Sequence, residues 1–255
     1  MHKVFINPGH GGRDPGALGN GMRESDIVLS VALHLEAVLQ ANGVESILSR
    51  RTDVAAAQTW QLANAENCHC FIDIHTNAFH LDSANGYETF YPANKPQDRV
   101  FARYVHDGYL SAINIRDRGV KPDGQTQHSG GIGRLRNARM PACLVELAFI
   151  TANPRHFTDV SILRTQAQPM AHALARGILA FLRQGSAPPE NEKGGEDMRY
   201  QSVEDMPSWA QPYVKSLIES GDLQGNAGGG AGLDLSHDML RLIVLNERRL
   251  AGVCR

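Results

Sequence analysis

Between Cys143 and Phe149 the chain reads CLVELAF, an apolar run broken by a single acid. A strand with one face in water alternates apolar and polar residues, so a run this continuous belongs to a central strand covered by protein on both sides. Covering both faces takes helices above and below the sheet. Helical and strand-like stretches do alternate along the chain. Lys3 to Asn7 is a short β-rich run, and Glu24 to Asn42 carries Ile27, Val31, Leu35 and Val38 on one helical face before Gly43, a left-handed cap. Val44 to Ser49, Cys70 to His75 and Tyr87 to Tyr91 read as strands, and Ala55 to Asn67 and Arg99 to Ile113 as helices. Arg164 to Leu182 closes the series as an amphipathic helix. The expected fold is α/β, a mostly parallel twisted sheet flanked by helices, over residues 1–184.

From 185 to 198 the composition turns to Gly, Pro and acids with no apolar periodicity, which reads as a solvated linker. Beyond it, residues 199–255 read as a small helical C-terminal domain, with helices over Ser208 to Ser220 and Asp238 to Leu250 separated by the glycine-rich GNAGGGAG. A unit this short is marginal as an independent fold, so docking or homo-oligomer formation is expected of it.

Lys and Arg number 25 against 27 Asp and Glu. That balance supplies no basic field for nucleic acid or an anionic membrane, and no apolar run reaches the ~18 residues of a membrane span. Cys68, Cys70, Cys143 and Cys254 fit neither a disulfide framework nor a paired zinc motif and read as core or half-buried thiols. The first residues already read as a core strand, without the charged and apolar regions of a Sec signal, so synthesis in the cytoplasm is expected.

The chemistry lies where strands give way to loops. His10 follows the first strand in INPGHGG, Glu24 opens the long helix in MRESDIV, and His75 ends a strand in FIDIHTNA. Taken singly, each has a plainer reading: a loop histidine, an acid favoured by the helix dipole, a satisfied polar residue at a strand end. The loop around His10 lacks the Lys and Ser/Thr of a phosphate-binding P-loop and the spacing of a dinucleotide site. Together the three make the His2Glu set that holds a catalytic Zn2+ with its fourth position open. Glu146 sits inside the CLVELAF run, where an ionised carboxylate costs several kcal/mol unless a cation or donors face it. A metal nearby meets that need and makes Glu146 a candidate base. Asn77, two residues past His75, is a candidate substrate contact.

PGHGGRDPGALGNGMRESDIVLSVA, FIDIHTNA and ACLVELAFITANP, with ILSRRTD, LANAEN and GYETFY between them, resemble in order and spacing the zinc-dependent N-acetylmuramoyl-L-alanine amidases of the Amidase_3 type. The resemblance runs from about Lys3 to Arg183. It implies one catalytic Zn2+ held by His10, Glu24 and His75, Glu146 as the catalytic glutamate, and bacterial peptidoglycan as substrate, cleaved between the lactyl group of N-acetylmuramic acid and L-alanine. An autolysin or phage endolysin reaching the wall after phage lysis or non-Sec export is the corresponding expectation. Two positions depart from the pattern: Asn7 stands where the family usually has Asp, and an Arg ahead of the AN pair is absent from TWQLANAEN. The stretch EDMPSWAQPYVKSLIESGDLQGN is distantly similar to an S-layer-homology half repeat, which implies cell-wall binding for residues 199–255. A non-catalytic wall-binding protein and a zinc amidohydrolase acting on another amide are the alternatives.

Overall fold

The computed structural model describes residues 2–55, 58–126, 130–183, 199–200, 202–204, 206, 211–220 and 235–236. The chain divides into two compact units, Met1–Pro188 and Pro189–Arg255. In the first unit, β1 (Lys3–Pro8) leads into a two-residue hairpin, β2 (Leu18–Gly19) and β3 (Met22–Arg23), and then α1 (Glu24–Ala41). There follow β4 (Glu45–Leu48), α2 (Thr59–Ala65), β5 (Cys70–Asn77), β6 (Tyr87–Tyr91) and α3 (Arg99–Leu110). The unit closes with β7 (Asp117–Pro122), α4 (Gly133–Asn137), β8 (Ala142–Phe149), α5 (Asp159–Thr165) and α6 (Ala167–Arg183).

Six strands form one sheet in the order β4-β1-β5-β8-β6-β7. The first four are mutually parallel, β6 runs antiparallel to β8, and β7 runs parallel to β6. The sheet is therefore mostly parallel, as expected, with a reversed pair at one edge. The expected helix over Arg164 to Leu182 is two helices broken at Gln166. Pro169 explains the break: in a continuous helix its ring would strike the carbonyl of Thr165, whereas in the first turn of a new helix its missing N–H is not needed.

Strand periodicity sorts the core into two layers. Val4 and Ile6, Ile72 and Ile74, and Cys143, Val145 and Leu147 pack against α1, α3 and α6, with Leu35, Val105 and Leu174 fully buried. The alternate residues Phe5, Phe71, Phe90, Ala142 and Leu144 face Ala63 of α2 and Leu135 of α4. Those two helices are short, so this face is covered only along part of each strand. Continuing the same period past the cover gives Asn7 of β1 and Gly9 just beyond it, Asp73 and His75 from β5, and Glu146 from β8. One sheet face thus passes from apolar to polar along the central strands, with ionisable residues on β5 and β8, and the polar end lines an open cleft.

In the second unit β9 (Arg199–Tyr200) pairs antiparallel with β10 (Leu235–Ser236), and α7 (Gln211–Ser220) lies in the expected helical stretch. Val203, Met206 and Val214 are buried there. The linker over 185–198, the GNAGGGAG turn and the helix expected over Asp238 to Leu250 lie outside the described residues.

Candidate metal centre and cleft

His10 sits two residues past β1 with a left-handed backbone, φ 60°. Arg50, only 3 % exposed, fixes this loop. Its guanidinium donates to the carbonyls of Pro8 (3.1 Å), Gly9 (2.8 Å) and Ser25 (2.9 Å), tying the loop to the start of α1. Asp53 accepts from Gly12 N at 2.9 Å and from Arg23, so the ILSRRTD stretch works as a brace for the His10 loop.

Glu24, the first residue of α1, is buried and accepts the backbone N–H groups of Ala17 (2.8 Å) and Thr76 (3.0 Å). His10 Nε2 lies 3.2 Å from its Oε2 and His75 Nδ1 2.9 Å from its Oε1. One ligand atom from each of His10, Glu24 and His75 lies within 4.8 Å of the other two. A tetrahedral ion with bonds of about 2.1 Å separates its ligands by about 3.4 Å, so these donors need only small adjustments to close on one cation.

The outward nitrogens are backed by acids. His10 Nδ1 lies 2.8 Å from Asp14 Oδ2, and His75 Nε2 lies 3.3 Å from Asp73 Oδ1. Asp14 favours a proton on the outer nitrogen of His10 and leaves the inner one to a metal, and Asp73 helps orient the His75 ring. Burial pushes Glu24 up, but the two imidazoles outweigh it and hold the carboxyl well below its usual range. His75, which burial alone would lower, is pushed up to about 10 by Asp73 and Glu24. The acids around the two imidazoles thus favour positive charge between them, which a divalent cation can supply in place of the imidazole protons.

Two glycines are required by this crowding. A Cβ on Gly9 would lie 2.2 Å from His75 Cε1, and one on Gly16 would lie 2.7 Å from both Glu24 Oε2 and His10 Cδ2.

Glu146 is the register partner of His75 across β5 and β8. Its Oε2 is sealed from solvent and has no hydrogen-bond partner among the described residues. Burial pushes the carboxyl up to about 8, with Glu24, Glu88 and Asp73 adding to the rise and His75 opposing it. A carboxylate so poised takes up a proton readily near neutral pH. Asn77 also lines the cleft, but its carboxamide is engaged, donating to Glu88 and accepting from Ala78 N at 2.9 Å.

The structure adds residues that the sequence reading did not single out. Asp73 is fully buried, accepts from Asn7 Nδ2 at 2.6 Å and forms an ion pair with Arg134 of α4. Arg134 Nη2 is 2.8 Å from His75 Nε2, and its side chain lines the cleft. An acid within a buried strand, the signal that singled out Glu146, also marks Asp73 in FIDIH. Arg134 has no such signal, since a short arginine-bearing helix reads as surface. The cleft measures about 1370 Å³ and runs from the three donors past Glu146 to Glu88, Arg118 and Lys121. Its size exceeds the roughly 300–1,000 Å³ of a small-molecule site and suits a polymeric substrate.

The N-acetylmuramoyl-L-alanine amidase family profile matches residues 4–180. The chain is 34% identical over 185 residues to the sporulation-specific N-acetylmuramoyl-L-alanine amidase of Bacillus subtilis, spanning 70% of this chain and 67% of that protein. It is 29% identical over 206 residues to the endolysin of Bacillus phage SPP1, spanning 74% of this chain and 71% of that one. The solved structure of N-acetylmuramoyl-L-alanine amidase AmiC2 of Nostoc punctiforme matches with a TM-score of 0.63 at 31% identity, over 71% of this chain and 97% of that chain.

Proposed function

The chain belongs to the N-acetylmuramoyl-L-alanine amidase family, and from that premise we propose that it is a peptidoglycan hydrolase in which His10, Glu24 and His75 hold one Zn2+ and Glu146 is the general base. The observation that carries the assignment is the convergence of three donors within 4.8 Å beside a carboxyl oxygen with no hydrogen-bond partner among the described residues. When bound, Zn2+ supplies Lewis acidity to the scissile carbonyl and brings the pKa of the attacking water toward about 7.

The protein's own groups then carry the proton. Glu146 takes it from the water as the carbonyl carbon of the lactyl group is attacked, and returns it to the departing amine of L-alanine. Burial suits it to both roles, because a carboxyl raised to about 8 is basic enough to accept and acidic enough to give back. Asp14 and Asp73 orient the two imidazoles, and Arg50 holds the loop that carries His10. The products are a glycan lactyl acid and a free stem peptide.

The test is release of dye from labelled peptidoglycan, with mass analysis of the new amine. Glu146→Gln should keep zinc and lose about 10²–10⁴-fold in hydrolysis, whereas His10→Ala should lose both. A chelator should abolish release by the wild type. Activity of Glu146→Gln equal to wild type would refute the base assignment, and an amine other than that of L-alanine would redirect the substrate. Residues 199–255 are proposed to bind the cell wall; deletion of this unit should move the chain from the pellet of sedimented walls to the supernatant.

A further inference from the structure

Beside Glu146 the cleft carries a second charged cluster that the hydrolytic step leaves unused. Glu88 of β6 is the cross-strand partner of Glu146 and is 4 % exposed. It accepts from Asn77, from Arg118 Nε at 3.1 Å and from Lys121 Nζ. Arg118 and Lys121 are three residues apart on β7, and in a regular strand that separation sends side chains to opposite faces. Here the register runs from Tyr87 opposite Asp117 to Thr89 opposite Val120, so two steps on β6 meet three on β7. That is a β-bulge, and Gly119 within it has a left-handed φ of 88°. The inserted residue lets both cations reach the same oxygen, Glu88 Oε2.

Arg118 is held further by donation to Asn85 O at 3.4 Å and by stacking, its Cζ 4.9 Å from the centre of the Phe149 ring. One carboxylate facing two cations leaves one positive charge over. Both side chains line the cleft and are 28% exposed.

We infer that Arg118 and Lys121 form an anion subsite for the α-carboxylate of the residue that follows L-alanine in the stem peptide. The inference rests on the amidase reading and specifies its substrate: a stem with a free carboxylate at that residue is preferred over one with a carboxamide. The scale fits. From β8 to β7 is two strand spacings, about 10 Å, and that carboxylate lies roughly 6–8 Å from the scissile nitrogen. The long side chains of Arg118 and Lys121, drawn back toward Glu88, span the difference.

The test uses the whole chain with zinc and two synthetic muramoyl peptides that differ only in carrying an α-carboxylate or an α-carboxamide on the glutamyl residue after L-alanine. The wild type should favour the carboxylate by about tenfold in kcat/KM, the yield of one charge-assisted contact at a partly exposed site. In Arg118→Gln/Lys121→Gln the ratio should fall to within about twofold of unity, while the charge-preserving Arg118→Lys keeps a ratio above about threefold. Equal rates on both peptides by the wild type, which requires no variant to fold, would overturn the subsite and leave the amidase reading standing. A ratio unchanged in the double variant would also overturn it. Failure of the wild type to cleave either peptide would instead strike the amidase reading and the subsite with it.

Discussion

Gly9→Ala is the sharpest probe of the proposed metal centre, because it adds one methyl group at a set distance from one proposed ligand, His75. That Cβ would lie 2.2 Å from His75 Cε1 and 2.4 Å from Nε2. Carbon atoms in contact sit about 3.5 Å apart, so the ring must retreat by roughly 1.3 Å. Metal–ligand bonds tolerate about 0.2 Å, so a ring so displaced no longer coordinates. Losing an orienting partner of a ligand costs about 10–100-fold in metal affinity, and losing the ligand itself should cost more than the upper figure. The fold should lose about 1–3 kcal/mol from overpacking. The backbone at Gly9 is not left-handed, so the contact alone is responsible. Gly21→Ala supplies the opposite control: its φ is 75° and no described residue lies within 4 Å of the added Cβ. It should cost about 1 kcal/mol of stability and leave zinc affinity unchanged. Competition against a chromophoric chelator, alongside thermal melting, reads both quantities. Wild-type zinc affinity in Gly9→Ala would refute the packing argument and with it the placement of His75 as a ligand.

Three further outcomes are expected. Arg50→Ala strips the carbonyls of Pro8, Gly9 and Ser25 of a buried donor, and should lower stability by about 2–5 kcal/mol in denaturant unfolding; a loss below 1 kcal/mol would mean that the loop is held by other contacts. Asp73→Ala leaves Arg134 without its buried partner and His75 Nε2 without its acid; about 3–5 kcal/mol of stability and 10–100-fold in zinc affinity should go together, and loss of stability alone would confine Asp73 to a structural role. In the chelated protein His75 and Glu146 hold protons more tightly folded than unfolded, at about 10 and about 8. The stability they contribute is present at low pH and drains away as pH rises toward 10. The melting temperature of chelated protein should therefore fall between pH 6.5 and 10 more steeply than that of zinc-loaded protein; a flat profile after chelation would contradict the assigned burial.

Elements with a strong period were legible in the sequence. The apolar run of β8, the amphipathic face of α1 and the alternation of strand with helix come directly from residue spacing, and His10, His75 and Glu146 come together because parallel strands deliver their ends to one edge. What escaped were features set by long-range pairing. The strand β7, DRGVKP, is half-exposed and carries charges, a glycine and a proline, all tolerated at a sheet edge and all erasing the strand signature. Its bulge depends on register with β6, which no local pattern encodes. The reversed direction of β6 is likewise a matter of topology, yet it is what sets Glu88 beside Glu146. Arg134 reaches His75 only because α4 covers the sheet face just short of the cleft. Asn77 stood out by position, two residues past His75, but its amide is engaged by Glu88 and by its own strand end.

The departure at Asn7 can be read the same way. Asn7 and Asp73 are register partners on adjacent strands, 2 % and 0 % exposed, and the Asn7 amide donates to the Asp73 carboxylate at 2.6 Å. An Asp at position 7 would set two carboxylates face to face in a dry site. Full ionisation at that distance would cost about 6 kcal/mol even at an effective dielectric of 20, so one acid would keep its proton instead. Holding a carboxylic acid protonated at pH 7 against an ordinary pKa near 4 costs about 4 kcal/mol. Asn7→Asp should therefore lose roughly that much stability at pH 7 and recover most of it near pH 4.5, where holding the proton costs only about 1 kcal/mol. The exchange variant Asn7→Asp/Asp73→Asn again places one acid and one amide at the site, and should regain at least half of the loss. If Asn7→Asp were as stable as wild type at pH 7, or the exchange merely summed the two single losses, the two residues would not act as a matched pair. As a pair, they keep a single negative charge beside His75.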